Sequence, residues 1–489
     1  MIYFNINRKV YCMKRQSGIL MHISSLYGDY SIGNFGKNAK EFVDFLVENG
    51  FSVWQVLPFT VTDEYNSPYK SFSAFGGNPY FIDPEKLFKD GLISVQDLEN
   101  CKQITPYSCE FERLSKERMS LLKKAYKNSK DHEAIRGFIA SHPRIEAFCR
   151  FMTLREQNGL KPWQEWESEE ISDYELLGTW QFIQYEFFTQ WAEIKAYANS
   201  KGVSIIGDIP IYVSDDSCDV WENRHLFDID EKGYPTLVAG VPPDYFAEDG
   251  QLWGNPLYNW NEMKKDGFKW WRERIDHSLE MFDGVRIDHF RAIESYWAVD
   301  AKETTARNGK WIKGPGMDFV NAIKAGHEDK LIIAEDLGDI TDEVRTLVEE
   351  SGFPGMRVFQ FGFLDDGNSI HMPHNYIKNS VAYSGTHDNN TIFGFLWESD
   401  EYTRRRALDY CGFSGGDWGG ASPLFLRAIF ASVSDLAIIP VQDFLMYGSD
   451  TRINTPGVAK GNWSYRVTKE QLDNANKEFF KSLNRIYKR

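Results

Sequence analysis

Eight short apolar or β-branched runs, with stretches of helical periodicity between several of them, constrain the fold more than any other feature of this sequence. The runs are Gly18–Ser24, Ser52–Pro58, Val203–Val213, Asp283–His289, Leu331–Glu335, Met356–Phe363, Val381–Ser384 and Leu436–Val441. Strands that alternate with helices are typical of an α/β protein with a parallel sheet, and eight of them predict a (β/α)8 TIM barrel. Two amphipathic stretches, Ala39–Gly50 and Gln184–Gly202, each end at a glycine that can cap a helix, and a last helix is expected at Thr468–Ile486.

The spacing of the runs is uneven and predicts insertions at the C-terminal face of the barrel. About 140 residues separate the second run from the third, far more than a βα loop needs. Part of that stretch, Cys101–Glu165, is charged and helix-prone, so we expect a mostly helical inserted subdomain at about 76–175. Smaller insertions are expected at about 214–262, 290–316 and 390–423. We assign 13–489 to the catalytic barrel and 1–12 to an N-terminal extension, with Met13 as an alternative start to Met1.

The charge balance limits what the protein can bind. Its 489 residues carry 55 Lys and Arg against 71 Asp and Glu, a formal net charge of −16. An acidic surface argues against binding to nucleic acid or anionic membranes and favours neutral substrates. Aromatic residues make up 15% of the chain and could serve as core or as flat platforms for a ligand. The sequence contains neither a GxxxxGK[ST] motif nor a strand-linked GxGxxG motif, so nucleotide binding is unsupported.

Cysteine usage and hydropathy indicate an intracellular protein. The six cysteines form no CxxC pair, which favours reduced thiols, and no apolar run approaches the ~18–20 residues of a membrane span. The N-terminus lacks the continuous apolar segment of a secretory signal, so we expect a cytoplasmic location. His371 and His374 are close in sequence but lack further ligands, so we expect a solvated loop there and no metal site. His22 lies within a strand run and is expected to be a hydrogen-bonded buried histidine.

Acidic residues recur at the ends of the predicted strands. Asp208 lies within the third run, Asp288 is near the end of the fourth, Glu335 ends the fifth, and Asp388 follows the seventh. In a barrel, the C-terminal ends of the strands converge on one mouth. Any one of these acids could be a loop residue or a helix cap. Several carboxylates gathered at one place repel one another and lose hydration, so they do not suit a hydrophobic core. The four acids together therefore predict an active site.

Neighbouring residues suggest roles for these acids. Arg286 and Asp288 are two apart and share one face of a strand, so we expect the guanidinium to lower the pKa of Asp288, as a nucleophile needs. Glu335 follows an apolar run, which favours the protonated form and suits a general acid. Asp388 and His387 could bind sugar hydroxyls or an oxocarbenium-like charge. Two carboxyl groups flanking a bond are what glycoside chemistry requires, but the pattern alone leaves retaining and inverting mechanisms open.

Longer motifs surround these residues. They are GILMHISSLYGDYSIGNFG, WQVLPF, NSPYKSFSAFGGNPYFID, GDIPIYVSDDSCDVW, VAGVPPDYFAEDGQLWGNPLYNW, DGVRIDHFRA, IIAEDLG, GMRVFQF, SGTHDNN and RINTPGVAKGNWSYR. In this order they resemble the 4-α-glucanotransferases (amylomaltases or disproportionating enzymes), relatives of the α-amylase superfamily. The resemblance runs from about Gly18 to Arg466 and is weak across the helical insertion. Single pieces such as AEDLG are weakly specific, whereas the ordered set is highly specific.

The resemblance implies a role for each acid. Asp288 would be the nucleophile that forms a covalent glycosyl-enzyme, Glu335 the acid/base, and Asp388 the residue that grips substrate hydroxyls in the distorted transition state. The substrate-binding residues that it implies are Asp208, Arg286, His387, Ser67, Tyr69, Trp253 and Asn454. The segments around Asp249–Trp253 and Asn454–Pro456 resemble lids that exclude water. The resemblance implies no metal and no organic cofactor.

The sequence therefore predicts a retaining 4-α-glucanotransferase that disproportionates maltodextrins. Its donors would be α-1,4-glucans and maltooligosaccharides, its acceptors glucose or maltooligosaccharides, and its oligomeric state stays open. The alternative is an α-amylase-type hydrolase, in which water replaces the sugar acceptor. A non-catalytic glycan-binding barrel would be expected to lack at least one of the three catalytic acids, and all are present. We expect Trp253, Tyr258 and Trp260 to offer aromatic faces for stacking glucose rings, with rim packing as the alternative. We assign the acceptor-side contact to Trp253, since glycines 250 and 254 around it would permit a mobile lid.

Overall fold

The computed structural model describes residues 14–243, 248–364, 369–458 and 460–489. Its strands are β1 (Gln16–Leu20), β2 (Val53–Gln55), β3 (Ser204–Ile209), β4 (Leu237–Val241), β5 (Gln251–Pro256), β6 (Gly284–Ile287), β7 (Ser295–Asp300), β8 (Lys310–Lys313), β9 (Leu331–Ala334), β10 (Gly355–Val358), β11 (Ser380–Tyr383) and β12 (Leu436–Pro440). Eight parallel strands close into a barrel in the order β1-β12-β11-β10-β9-β6-β3-β2. Each coincides with one of the eight apolar runs, so the predicted (β/α)8 barrel is confirmed.

The barrel strands are apolar on both faces because both faces are buried. In β12, Leu436 and Ile438 belong to the cluster that fills the barrel interior, whereas Ala437 and Ile439 belong to the larger cluster that includes the surrounding helices. Successive residues of a strand therefore point in turn into the barrel interior and toward the surrounding helices. The interior is therefore a packed layer, and polar groups gather only where the strands end.

Helices surround the barrel and fill the insertions. They are α1 (Lys37–Glu48), α2 (Pro84–Lys89), α3 (Val95–Asn100), α4 (Phe111–Asn128), α5 (His132–Ser141), α6 (Pro143–Gln157), α7 (Tyr174–Ser200), α8 (Cys218–Glu222), α9 (Trp260–Lys265), α10 (Lys269–Met281), α11 (Gly316–Lys324), α12 (Asp342–Ser351), α13 (Ile392–Glu398), α14 (Glu401–Tyr410), α15 (Ser422–Ala431), α16 (Val441–Phe444), α17 (Lys469–Asn474) and α18 (Lys477–Tyr487). Within the described ranges, no helix combines the length and apolarity that crossing a membrane would take.

Two of the predicted helices are confirmed, and the third differs. Gly50 and Gly202 follow α1 and α7 with φ of 79° and 78°, the left-handed conformation expected of a glycine after a helix. The single helix predicted at the C-terminus is wrong, since α17 and α18 occupy that stretch. Ala475 is extended there, and the side chain of Asn476 accepts a hydrogen bond from the backbone N–H of Phe479, which starts a new helix.

The range 76–175 is largely helical. It contains α2 to α6, of which α4, α5 and α6 pack on the 27-residue helix α7 that leads into β3. This packing supports the predicted inserted subdomain, whose boundaries, like those of the other insertions, stay a prediction.

An antiparallel sheet of four strands lies outside the barrel, in the order β5-β4-β7-β8, and the sequence did not predict it. Strands β4 and β5 follow barrel strand β3, whereas β7 and β8 follow barrel strand β6. The pairing of β4 with β7 joins the two segments, with Ala239 opposite Ala298. Two of the expected insertions, those after the third and fourth runs, thus fold together into one unit.

Candidate active site

Backbone hydrogen bonds set three neighbouring strand ends side by side. The N–H of Asp288 donates to the carbonyl of Ile209 over 2.9 Å, and the N–H of Glu335 donates to the carbonyl of Ile287 over 3.1 Å. These bonds extend the ladders of β3, β6 and β9 beyond the strands themselves. The carboxyl-bearing residues therefore meet at the C-terminal mouth of the barrel, where active sites of this fold lie.

Arg286 is the charge at the centre of this mouth. One terminal guanidinium nitrogen lies 2.8 and 2.7 Å from the two carboxyl oxygens of Asp208, and the other lies 2.7 Å from Asp288. The hydroxyl of Tyr69 also donates to Asp208, over 2.7 Å. The side chains of Arg286 and Asp208 are almost fully buried. Buried charges need such complete pairing, so this group is a rigid base for the cleft.

Asp288 differs from the sequence prediction in its pKa. Burial raises the pKa of Asp288 above its ordinary value, and Arg286 opposes that rise. The nearby carboxylates of Asp208 and Asp388 raise it further. The prediction of a lowered pKa is wrong in its net direction, because it took account of the guanidinium and left out burial and the other acids.

Glu335 is held by backbone groups. Its carboxyl oxygens accept hydrogen bonds from the N–H of His289 at 2.5 Å and from the N–H of Leu337 at 2.9 Å. Burial raises the pKa of Glu335 to about 8, and the charge of Asp288 adds to the rise, while Arg286 and the two N–H groups lower it. The net direction is the one that the apolar run before Glu335 predicts.

The backbone N–H of His289, which donates this hydrogen bond, belongs to a residue in an unusual backbone conformation. His289 has φ of 47° and ψ of 47°, a left-handed conformation that few non-glycine residues adopt. Its ring meets that of Trp253 edge to face at 4.8 Å. The sequence analysis gave His289 no role, and nothing in its residue type signals the positive φ.

Asp388 lies on the opposite wall of the mouth and has its own partners. His387 Nε2 lies 3.1 Å from one carboxyl oxygen, and Asn454 Nδ2 donates to the other over 2.6 Å. Enclosure by the cleft would raise the pKa of Asp388, but His387, Asn454 and Arg286 outweigh it and hold the pKa at about 2. The ring of His387 stacks on that of Tyr69 at 4.8 Å, which connects Asp388 to the Asp208 and Arg286 side of the site.

The remaining predicted residues lie at different places. Ser67 accepts a hydrogen bond from the N–H of Tyr69 over 3.3 Å, so it shapes the turn that presents Tyr69. Trp253 lies in β5, where it is half-buried beside His289. The prediction that Tyr258 offers an aromatic face to a sugar is wrong. Tyr258 is buried, and its hydroxyl donates to the carbonyl of Ile211. Trp260 packs on Tyr258 and on the core as well, in agreement with rim packing.

The predicted lid around Asp249–Trp253 is mostly strand. Arg307 forms an ion pair with Asp249, and β5 is hydrogen-bonded to β4. Gly250 has φ of 66°, and a Cβ atom there would lie 2.4 Å from the carbonyl oxygen of Val241. Glycine at this position therefore allows the backbone before β5 to approach the end of β4 closely.

Asp443 is a buried acid that the sequence analysis missed. It accepts hydrogen bonds from Ser384, at the end of β11, and from the N–H of Ile392, at the start of α13, with oxygen distances of 2.5 and 2.6 Å. It thus holds both ends of the loop that carries His387 and Asp388. The strand-end rule that found the other acids could have found Asp443, which follows the eighth run.

The isolated histidines behave differently from one another. His22 is buried and its Nδ1 accepts the N–H of Leu57, as expected of a satisfied histidine. His371 was expected in a solvated loop, but it is partly buried and its Nδ1 accepts the N–H of Val358. Across the described part of the chain, no three His, Cys, Asp or Glu residues are grouped as metal ligands would be.

Comparison with known proteins places this chain in a family. The sequence model of the 4-alpha-glucanotransferase family matches residues 21–472. The chain is 44% identical to a 4-alpha-glucanotransferase of Clostridium butyricum, over 96% of this chain and 100% of that protein, and 43% identical to one of Streptococcus pneumoniae serotype 4, over 97% and 98%. The amylomaltase of Streptococcus agalactiae, solved in complex with acarbose, is 40% identical and superposes with a TM-score of 0.94 over 97% of this chain and 100% of that one. The chain therefore belongs to the 4-α-glucanotransferase family and is an enzyme of glucan metabolism.

Proposed function

We propose that this 4-α-glucanotransferase works by a retaining, two-step mechanism in which Asp288 is the nucleophile and Glu335 the acid/base. The observation that carries the proposal is the contrast between these two acids. Asp288 has an ion pair to Arg286 at 2.7 Å, whereas Glu335 is held by backbone N–H groups and its pKa is raised to about 8. Arg286 favours the ionised form of Asp288, which can attack, whereas Glu335 keeps its proton at neutral pH.

In the first step, Asp288 attacks the anomeric carbon of a bound glucan, and the bond to the leaving oxygen breaks. Glu335 gives its proton to that oxygen, so the released chain leaves as a neutral alcohol. The product of this step is a covalent glycosyl-enzyme on Asp288. Arg286 stays paired with Asp208 and balances the negative charge of the site throughout.

In the second step, Glu335 is ionised and takes the proton of the acceptor's 4-hydroxyl. The acceptor oxygen attacks the anomeric carbon and displaces Asp288, which restores both carboxyl groups. A hydrolase would use the same residues with water as acceptor. Family membership supports transfer to a sugar. A bound sugar can compete with water because bound acceptors can reach effective concentrations of ~10⁵ M or more.

The donor sugar is bound by residues that follow β11, two strands along the barrel from β9, the strand that precedes Glu335. Asp388 is ionised and oriented by Asn454 and His387, so it can accept hydrogen bonds from two hydroxyls of the distorted ring. Tyr69 stacks on His387 and bounds the same pocket. The ring of Trp253 contacts His289, next to Asp288 in sequence, and we assign Trp253 to the acceptor side.

The substrates we propose are α-1,4-glucans and maltooligosaccharides as donors, with glucose or maltooligosaccharides as acceptors. The relative from Streptococcus agalactiae was solved with acarbose, and we expect acarbose to compete with maltotriose here too. We also propose a cytoplasmic setting. The five described cysteines are free thiols, as expected under reducing conditions.

Covalent labelling tests the assignment. An activated fluoro-sugar should form a stable adduct, and peptide mass spectrometry should find the adduct on Asp288. Glu335→Gln should still be labelled, because a good leaving group needs no proton, whereas Asp288→Asn should not. A label on any other carboxylate would overturn the proposed roles.

A further inference from the structure

Two tryptophans, one exposed and one half-buried, form a pair away from the catalytic carboxylates. Trp397 lies near the end of α13 and has 64% of its surface exposed, an unusual state for so large an apolar side chain. Trp418 lies in the segment GGDWGG, with two glycines on each side. Their ring centroids are 5.5 Å apart with planes inclined at 73°, so neither ring lies flat on the other. We call Trp397 and Trp418 the outer aromatic pair.

Arg404 connects Trp418 to the end of α13. Its guanidinium lies over the ring of Trp418 at 4.5 Å, and it also donates hydrogen bonds to the carbonyls of Leu396 and Ser399. Trp418 is therefore anchored on the side of Arg404, while most of Trp397 remains in water. Leaving so much indole exposed forgoes the free energy that burial would give, so the arrangement favours a binding role over a packing role.

The outer aromatic pair is connected to the catalytic mouth. Helix α13 starts directly after the loop that carries Asp388, and its seven residues span about 10 Å at 1.5 Å per residue. At the far end of the helix, the carboxylate of Glu398 accepts hydrogen bonds from Asn390, over 2.8 Å, and from Ser449. Asn390 is two residues from Asp388, and Ser449 is five residues before Asn454. The surface around the pair is therefore continuous with the wall that we assign to the donor sugar.

We propose that the outer aromatic pair is a second binding site for the α-1,4-glucan chain, which holds a long substrate while its end is processed at Asp288. This inference rests on the proposed function. The apolar faces of glucose rings suit an open indole, and polar groups at the rim, among them Glu398 and Asp400, can accept hydrogen bonds from hydroxyls. A polymeric substrate can occupy both places at once, which raises its apparent affinity without any new contact at the catalytic acids.

Native electrophoresis in gels that contain amylopectin tests this site. All variants carry Asp288→Asn, so the polymer is not consumed during the run. Trp397→Ala and Trp418→Ala should raise the apparent dissociation constant several-fold, and Trp397→Phe should recover most of the loss because it restores an aromatic face. Tyr174→Ala is the matched control, since Tyr174 is 72% exposed on α7, outside the described mouth. Equal retention of Trp397→Ala and Tyr174→Ala would overturn the proposal.

Kinetics of the same substitutions without Asp288→Asn give a second readout. We expect the ratio of the KM for amylose to the KM for maltotriose to rise about three- to tenfold in Trp397→Ala, because maltotriose is too short to reach the outer aromatic pair. A ratio equal to that of the parent enzyme would contradict a chain-holding role, and a changed molecular mass in gel filtration would show that the pair is a protein interface instead. Failure of the catalytic assignment would appear in the labelling experiment, whereas failure of the outer aromatic pair would appear as equal retention and an unchanged KM ratio.

Discussion

The backbone N–H of His289 donates to the carboxyl of Glu335 over 2.5 Å, and His289 presents it at a φ of 47°. The acid/base that we propose is therefore oriented by a residue in a strained conformation, which directly follows the proposed nucleophile in sequence. Strain of this kind persists only where the surroundings enforce it, and here the ring of His289 is held against Trp253.

Substitution of His289 should move the alkaline limb of the pH–rate profile. His289→Val disfavours the left-handed conformation, so the N–H turns away from Glu335. That N–H lowers the pKa of Glu335, and its loss should shift the limb above about 8. Asparagine tolerates positive φ, so His289→Asn should keep the alkaline limb near that of the parent. Both variants lose the ring contact with Trp253, so that loss does not distinguish them. An identical limb in both would disconnect the backbone of His289 from Glu335.

Glu335→Gln should change the pH dependence of stability. The pKa of Glu335 rises from 4.5 to about 8 in the folded state, so between these values the folded protein binds the extra proton. Folding is then favoured by Glu335 below about pH 4.5, and this contribution is lost as the pH rises through about 8. We expect thermal unfolding at pH 5, 7 and 9 to show that the parent loses stability as the pH rises. The melting temperature of the variant should therefore rise relative to that of the parent from pH 5 to pH 9. A constant difference across that range would contradict the raised pKa.

Asp208→Asn should destabilise the protein more than Tyr69→Phe does. The first change removes a buried charge and leaves Arg286 with Asp288 alone, at a cost of about 3–5 kcal/mol. The second removes one hydrogen bond to a buried carboxylate, at about 1–3 kcal/mol. Urea unfolding at pH 7 measures both. The opposite order would mean that Arg286 does not depend on Asp208 for its charge balance.

Trp253→Ala should lower the ratio of transfer to hydrolysis. Without the indole, an acceptor sugar loses a contact that holds it in position, and water gains access to the glycosyl-enzyme. With maltotriose as substrate, free glucose and new reducing ends are measured against longer oligosaccharides. Trp311→Ala is the control, because Trp311 lies in β8 at the far edge of the same sheet, stacked on Arg291. If both variants gave the same ratio as the parent, Trp253 would have only a packing role.

The barrel could be predicted from the sequence because its strands are short apolar runs with a fixed order. The acids could be predicted because parallel strands in a barrel end at the same mouth, so position in a run is enough to bring Asp288 and Glu335 together. Neither prediction needs knowledge of side-chain geometry. The roles of the acids and the substrate-binding residues were predicted from the family motifs.

Other features depend on contacts between distant segments and could not be predicted. The pairing of β4 with β7 joins residues about 60 positions apart, and nothing in either strand specifies its partner. The pKa of Asp288 depends on burial and on Asp388, which come from elsewhere in the fold. Tyr258 has the same residue type as a sugar-binding aromatic, and only its burial shows that it is core.

The pairing of β4 with β7 has a consequence for recombination among relatives of this enzyme. The motif DGVRIDHF, between the two segments, is an attractive crossover point because it is short and carries the proposed nucleophile. A crossover there would give a chimera with β4 and β5 from one parent and β7 and β8 from the other, so strand edges that did not evolve together would have to pair. Mismatched edges expose unpaired backbone groups and favour aggregation. We therefore expect well-folded chimeras only when the two segments are exchanged together.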